Sequence, residues 1–267
     1  MKLYMSVDME GITGVVNWDD TMLGHAEHTY YRKIMTYEVL TICKEAKNNG
    51  IREILIKDAH ASGRNLFIDE LPEYVSVIRG WSGHPFSMVQ GLDGSFDAVF
   101  MIGYHSPSGS LGNPLSHTMA SSIIREMRLN GHRISEFTLH ALVAGYFKVP
   151  VTLLTGDEEI CREAKEHIPS IITLQTKVGF GNAVITKSLA KVSDEYKSAI
   201  KEALNTKIFR ESIPLVPISM SLEISYSHPT IAYKYSFFPG AVMINESTLK
   251  FETENVLDLM TFIQFCS

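Results

Sequence analysis

Short apolar runs bounded by turn residues recur along the first half of the chain. Those at residues 3–7, 53–57 and 98–103 are rich in branched side chains and too short for helices, so they read as buried parallel strands. Residues 149–154 repeat the pattern after Pro150. Between the first two runs, residues 30–48 place Ile34, Val39, Ile42 and Ala46 on one side of a helix that stops at Gly50. Residues 157–167 predict another helix, with Asp157 as its cap and Pro169 beyond its end. Strand alternating with helix predicts an α/β fold: a mostly parallel sheet with helices on both faces.

The middle of the chain departs from this alternation. Residues 106–114 are a Ser/Pro/Gly loop, and residues 118–129 and 132–135 flank Asn130-Gly131, a strong hairpin signal because both residues tolerate positive φ. A helix over 136–147 follows. The last third predicts a helix at 193–205, strands at 215–224 and 248–252, and a terminal helix from residue 254. The pattern divides the chain into a core at 1–190 and a smaller α+β subdomain at 191–267.

Composition narrows the function classes. Lys and Arg number 24 against 30 Asp and Glu, a net charge of −6, with no basic stripe for a nucleic acid to follow. Cys43, Cys161 and Cys266 are odd in number and far apart, which suits a reducing compartment better than a disulfide framework. The apolar stretch at the N-terminus is too short for an export signal, and no run approaches a membrane span. A cytoplasmic protein is expected.

Open parallel sheets bind ligands beyond the carboxyl ends of their strands. The first strand there delivers Asp8 and Glu10, which point to one side if the strand continues to Glu10, before Gly11 turns the backbone away. The second run leads into Asp58-Ala59-His60, the third into Gly103-Tyr104-His105, and Glu136 opens a helix, where the dipole favours a carboxylate. Asp8, Glu10, His60, His105 and Glu136 form an oxygen and nitrogen donor set suited to zinc, manganese or cobalt. Five donors exceed one tetrahedral ion, so a pair bridged by Asp8 is the economical reading. The spacing matches no compact zinc signature. Residue types alone therefore leave both a di-metal site and a set of ordinary turn and cap residues open.

Other residues attract blander readings. His25, His28, His84, His132, His167 and His228 suit surface or structural roles. Asp58 either orients His60 or caps its turn. His140, four residues after Glu136 on one helix face, is within reach of the site as a further ligand, with packing or support from behind the better reading. Met5, Met88, Met101 and Met119 read as core fillers, and Arg125 and Arg128 as solvated surface. The glycines at 109–112 do not join a strand to a helix, which excludes a phosphate loop.

The blocks Ser6-Val7-Asp8-Met9-Glu10-Gly11, Met35-Thr36-Tyr37-Glu38, Lys57-Asp58-Ala59-His60, Gly103-Tyr104-His105, Ser116-His117-Thr118-Met119 and Ala144-Gly145-Tyr146 occur in an order that resembles the DppA type of D-aminopeptidases, peptidase family M55. Pro85 to Asp93 and Asn130-Gly131 extend the resemblance over about the first 160 residues, with Pro239-Gly240 a looser match beyond. The resemblance implies a cytoplasmic aminopeptidase with two zinc ions per chain, acting on short peptides such as D-Ala-D-Ala. It implies that Asp8, Glu10 and His60 hold one ion, that Asp8, His105 and Glu136 hold the other, and that His117 is catalytic. It also implies a decamer of two pentameric rings. The sequence departs from the family around the last ligand, reading Ser135-Glu136-Phe137-Thr138-Leu139-His140, and over residues 13–28. Two other readings stand beside this one: a metal-dependent amidohydrolase acting on another small amide or an L-peptide, and a non-catalytic small-peptide binder. For His117, a role as proton donor or oxyanion stabiliser needs fewer assumptions than a direct nucleophile.

Overall fold

A computed structural model describes all of residues 1–267. The chain runs through β1 (Lys2–Val7), the single turn α1 (Trp18–Thr21), α2 (Ala26–Asn48), β2 (Glu53–Asp58), β3 (Val75–Ile78) and β4 (Ala98–Tyr104). The hairpin β5 (Ile124–Leu129) and β6 (His132–Arg133) follows, then α3 (Glu136–Tyr146), β7 (Val151–Asp157) and α4 (Glu158–His167). Next come β8 (Ile172–Phe180), β9 (Ala183–Thr186), α5 (Leu189–Ala203) and α6 (Thr206–Glu211). The chain closes with β10 (Met220–Tyr226), α7 (Pro229–Tyr235), β11 (Val242–Asn245), β12 (Thr248–Thr253) and α8 (Val256–Cys266). No helix is long and apolar enough to cross a membrane.

Seven strands form one sheet in the order β3-β2-β1-β4-β7-β8-β9, parallel except at β9. Successive side chains of a strand face opposite ways, and β1 builds two cores accordingly. Leu3, Met5 and Val7 pack with Val39 and Ile42 of α2 and Ile200 of α5, while Tyr4 joins Leu139 of α3, Ile160 of α4 and Phe262 of α8. The mostly parallel sheet with helices on both faces is thus the architecture observed.

A second, antiparallel sheet has the order β11-β12-β10-β5-β6. Its turn between β5 and β6 holds Asn130 at φ 50° and Gly131 at φ 82°, the pair of positive angles that a tight hairpin needs. This hairpin comes from before residue 190, whereas α5 packs against α2 on the first sheet. The strand expected at 215–224 starts only at Met220 and continues to Tyr226, and Leu215 and Ile218 are largely exposed. Pro214 and Pro217 explain the late start, since neither can donate to a ladder. The segment at 118–123 is likewise not strand, and it bends through Met119 at φ 65°.

From β1 the chain steps outward to β2 and β3, then crosses to β4 on the other side of β1. Strand order reverses between β1 and β4, and the crevice beyond their carboxyl ends is where such sheets bind ligands. Two glycines allow the chains to close there. The Gly11 N–H donates to Gly103 O at 2.7 Å, and a Cβ on Gly11 would lie 1.9 Å from the Tyr104 carbonyl oxygen. Gly103, at φ 69°, has no more room, because its Cβ would lie 2.4 Å from Asp8 O.

Gly11→Ala is expected to force β1 and β4 apart and to lower Tm by about 5 °C or more. Gly94→Ala, whose Cβ would meet only Phe147 O at 3.7 Å, is the control and is expected to stay within about 2 °C of the parent. Thermal unfolding followed by circular dichroism measures both.

Candidate active site

Four chain segments deliver the candidate side chains to this crevice. Asp8 follows β1 directly, its N–H bonded to Ile102 O at 2.8 Å. Glu10 is held from behind: the buried Lys177 ammonium donates to its carbonyl at 2.5 Å and to Val15 O at 2.6 Å, and Asn113 Nδ2 adds a bond at 3.1 Å. His60 lies on the turn after β2. Asp58 secures that turn by accepting the N–H of Leu66 at 2.9 Å and Nδ2 of Asn65 at 2.8 Å, while Asn65 Nδ2 also reaches His60 O at 2.8 Å. Of the two roles open for Asp58, the structure shows the turn cap. Glu136 opens α3 behind the Ser135 cap, and its Oε1 accepts the Met119 N–H at 2.7 Å.

The imidazoles are oriented by backbone carbonyls. His60 Nε2 donates to Thr21 O at 3.0 Å, which turns Nδ1 toward Asp8 Oδ1 at 3.2 Å and Glu10 Oε2 at 3.0 Å. His105 Nδ1 donates to Ser106 O at 2.9 Å, which leaves Nε2 facing Asp8 Oδ2 at 3.5 Å and Glu136 Oε2 at 3.4 Å. His117 Nδ1 donates to Leu115 O at 2.8 Å, with Nε2 3.6 Å from Glu136 Oε1. A carbonyl can only accept, so each contact fixes a proton on the outer nitrogen and aims the inner one at the carboxylates.

Three buried carboxylates this close together would repel if all were charged, and their protons respond. Burial raises the Asp8 carboxyl and the adjacent Glu10 charge raises it further, to about 8. Burial alone would raise Glu10 as well, but His60 outweighs it and holds Glu10 well below its usual range. At Glu136 burial is overcome by His105, and the carboxyl falls to about 2. Burial opposes charge on both imidazoles, yet Glu10 lifts His60 well above its ordinary value and Glu136 lifts His105 to about 10. A divalent cation competes with those protons for the same atoms. Asp8 Oδ2, Glu10 Oε2 and His105 Nε2 are buried without a hydrogen-bond partner, so the cluster fits a cation on stereochemical grounds too. Two donor groups adjoin, Asp8-Glu10-His60 and Asp8-His105-Glu136, and they share Asp8; a third joins Glu10, His105 and His117.

His117 stacks on His105, with ring centroids 4.3 Å apart and planes 13° from parallel, and Trp18 packs edge-on against its ring at 5.4 Å. Burial, helped by His105, holds its pKa down. His140 is buried beside the cluster and outside it: Nδ1 donates to Glu136 O at 2.6 Å, and burial lowers its pKa to about 4. His28 is a buried structural residue bonded to Asn65. Met5, Met88 and Met101 fill the cores as expected and Met119 packs against them, and Met88 and Met119 also line the cavity above the cluster. That cavity measures about 470 Å³ and opens onto Asp8, Glu10, His60, His117 and Glu136. Three residues on its wall, Ala61, Ser87 and Met119, hold positive φ angles of 43°, 45° and 65° without being glycine, the kind of strain that collects at functional sites.

Sequence reasoning missed Trp18, Trp81 and Thr21. The chain has two tryptophans, one against His117 and the other on the cavity wall, and their scarcity was the available signal. Thr21 acts through its carbonyl, for which residue identity gives no sign.

A solved structure of a zinc-dependent D-aminopeptidase, DppA of Bacillus subtilis, described as a self-compartmentalizing protease, superposes with a TM-score of 0.92 at 32% identity, covering 100% of this chain and 96% of that one. A D-aminopeptidase of Bacillus subtilis (strain 168) is 35% identical over 263 residues, which is 97% of this chain and 93% of the relative. The family model for peptidase M55, D-aminopeptidase, matches residues 1–265, and the chain belongs to that family of metallo-aminopeptidases.

Proposed function

We propose that this protein is a zinc-dependent D-aminopeptidase that releases the N-terminal D-residue from short peptides such as D-Ala-D-Ala, using two zinc ions per chain. The observation that carries the reading is the pair of adjoining donor groups with Asp8 in common, at the floor of a cavity of small-peptide size. Asp8, Glu10 and His60 would hold one ion, and Asp8, His105 and Glu136 the other. Bound there, such a pair supplies Lewis acidity, polarising the scissile carbonyl and acidifying a water.

The chain's own groups do the rest. A free amine, the chemical mark of a peptide N-terminus, would find either an ion or a carboxylate oxygen of Glu10 or Glu136 at the cavity floor. With its Nδ1 proton committed to Leu115 O, His117 has a lone pair on Nε2 facing the cavity. It accepts the proton of the attacking water there and returns it to the departing amine. Glu136 Oε1, 3.6 Å away, stabilises the imidazolium formed in between. This sequence makes the proton-donor role of His117 the second half of its work.

Self-association is part of the proposal. Its support is the self-compartmentalizing relative together with the exposed apolar side chains Tyr233, Phe237, Val242 and Ile244 around α7 and the edge strand β11. A ring built from one repeated contact needs a heterologous interface, and a decamer of two stacked pentamers is the form expected.

Zinc titration of the purified protein is expected to reach two equivalents per chain, with Asp8→Asn weakening both; saturation at one would refute the shared carboxylate. His117→Ala is expected to keep its zinc and its Tm while turnover drops about 10²–10⁴-fold, whereas His60→Ala loses zinc and activity together. A panel of L,L, D,D and mixed dipeptides tests the substrate class, and preference for L,L peptides would reject it. Sedimentation at micromolar protein is expected to show a decamer; monomer or dimer alone would remove the ring.

A further inference from the structure

The cavity has an aromatic wall that the acid and imidazole cluster does not need. Trp81 lies on the loop after β3 and remains 42% exposed while lining the same cavity as His60 and His117. Exposed tryptophan is usually mobile surface, but this ring is clamped. Its Nε1 donates to Ala61 O at 2.7 Å, and the Lys57 ammonium sits 3.7 Å from the ring centroid. Lys57 is buried on β2, with Nζ also donating to Asp58 O and to Gly80 O at 2.9 Å, so the cation is itself immobile. A cation fixed over an aromatic face sets the position of that ring.

The clamp is joined to the chemistry. Ala61, which accepts the indole proton, is the residue after His60 and is held at φ 43°. Asp58, whose carbonyl takes the Lys57 bond, anchors the same turn. Met88, Met119 and Ala120 add further apolar surface to the cavity. A rigid, partly bare aromatic ring beside adaptable thioethers is a recognition surface for an apolar group. The methyl of an alanyl residue would leave most of that surface uncovered.

We propose that Trp81 is a specificity-determining residue, and that with Met88 and Met119 it forms an apolar subsite for a large aliphatic or aromatic side chain flanking the scissile bond. This rests on the D-aminopeptidase reading above and narrows its substrate class.

The test compares kcat/KM of the zinc-loaded protein on D-Ala-D-Ala with two series, D-Leu-D-Ala and D-Phe-D-Ala, and D-Ala-D-Leu and D-Ala-D-Phe. In one series the bulky residue is expected to gain about tenfold or more over alanine. Trp81→Ala should collapse that ratio, chiefly through KM, and Trp81→Phe should preserve most of it. Flat series in the parent protein, or an unchanged ratio in Trp81→Ala, would overturn the proposal. Binding is read separately by fluorescence of Trp18→Phe, in which Trp81 is the sole tryptophan. D-phenylalanine is expected to change its emission saturably at about tenfold lower concentration than D-alanine; equal response to the two, or none, would overturn the subsite. Parent protein that hydrolyses no dipeptide while Trp81 still discriminates these ligands would sink the activity and leave the subsite standing.

Discussion

Burial of Asp8, Glu10 and Glu136 side by side at the floor of the cavity is the constraint on which the rest of the fold turns. Removing one carboxylate from water costs several kcal/mol when nothing compensates, and three together cost more. Folding therefore has to bring compensation to the same place. His60 and His105 do so across gaps of 3.0–3.5 Å, and the start of α3 contributes its dipole to Glu136. Lys177, reaching the carbonyl of Glu10 from β8, brings positive charge to the side away from the cavity.

The large sheet makes that convergence possible. Parallel strands end in register, so adjacent strands can deliver Asp8 and His105 to neighbouring points, and the reversal of strand order keeps both sides of β1 open for the loops. The close approach of Gly11 to Gly103 then sets the angle at which Glu10 leaves β1. In this sense the two cores serve as a foundation: they fix strand ends to within the tolerance that a cluster of convergent donors requires.

How much of this was legible in the sequence depended on distance along the chain. Asp8, His60 and His105 could be read from strand ends and Glu136 from a helix start, because each signal lies within a few residues; strand alternation does not explain Glu10, since β1 ends at Val7 and Glu10 sits in the turn that follows. The strands β1, β2, β4 and β7 and the hairpin at Asn130-Gly131 were legible for the same reason, whereas the order of the strands in the sheet was not. What escaped depends on pairs far apart: Thr21 with His60 at a separation of 39 residues, Lys177 with Glu10 at 167, Arg32 with Asn65 at 33. Met88 and Met119 pack in or against the core and line the cavity as well, and pattern alone does not show that second face. Residues 215–219 carry the apolar content of a strand, but Pro214 before them and Pro217 within them override it.

The three imidazoles of the cluster share one further property. Each has its outer nitrogen satisfied by a main-chain oxygen, of Thr21, Ser106 or Leu115. Enzymes commonly give that task to a carboxylate side chain, which a single nucleotide change can delete. A carbonyl survives every codon, so the tautomers here are buffered against point mutation at the positions that set them. The cavity wall has no such protection, since Trp81, Met88 and Met119 contribute side chains. Lineages descended from this protein are therefore free to drift in what they accept while the chemistry beneath stays fixed.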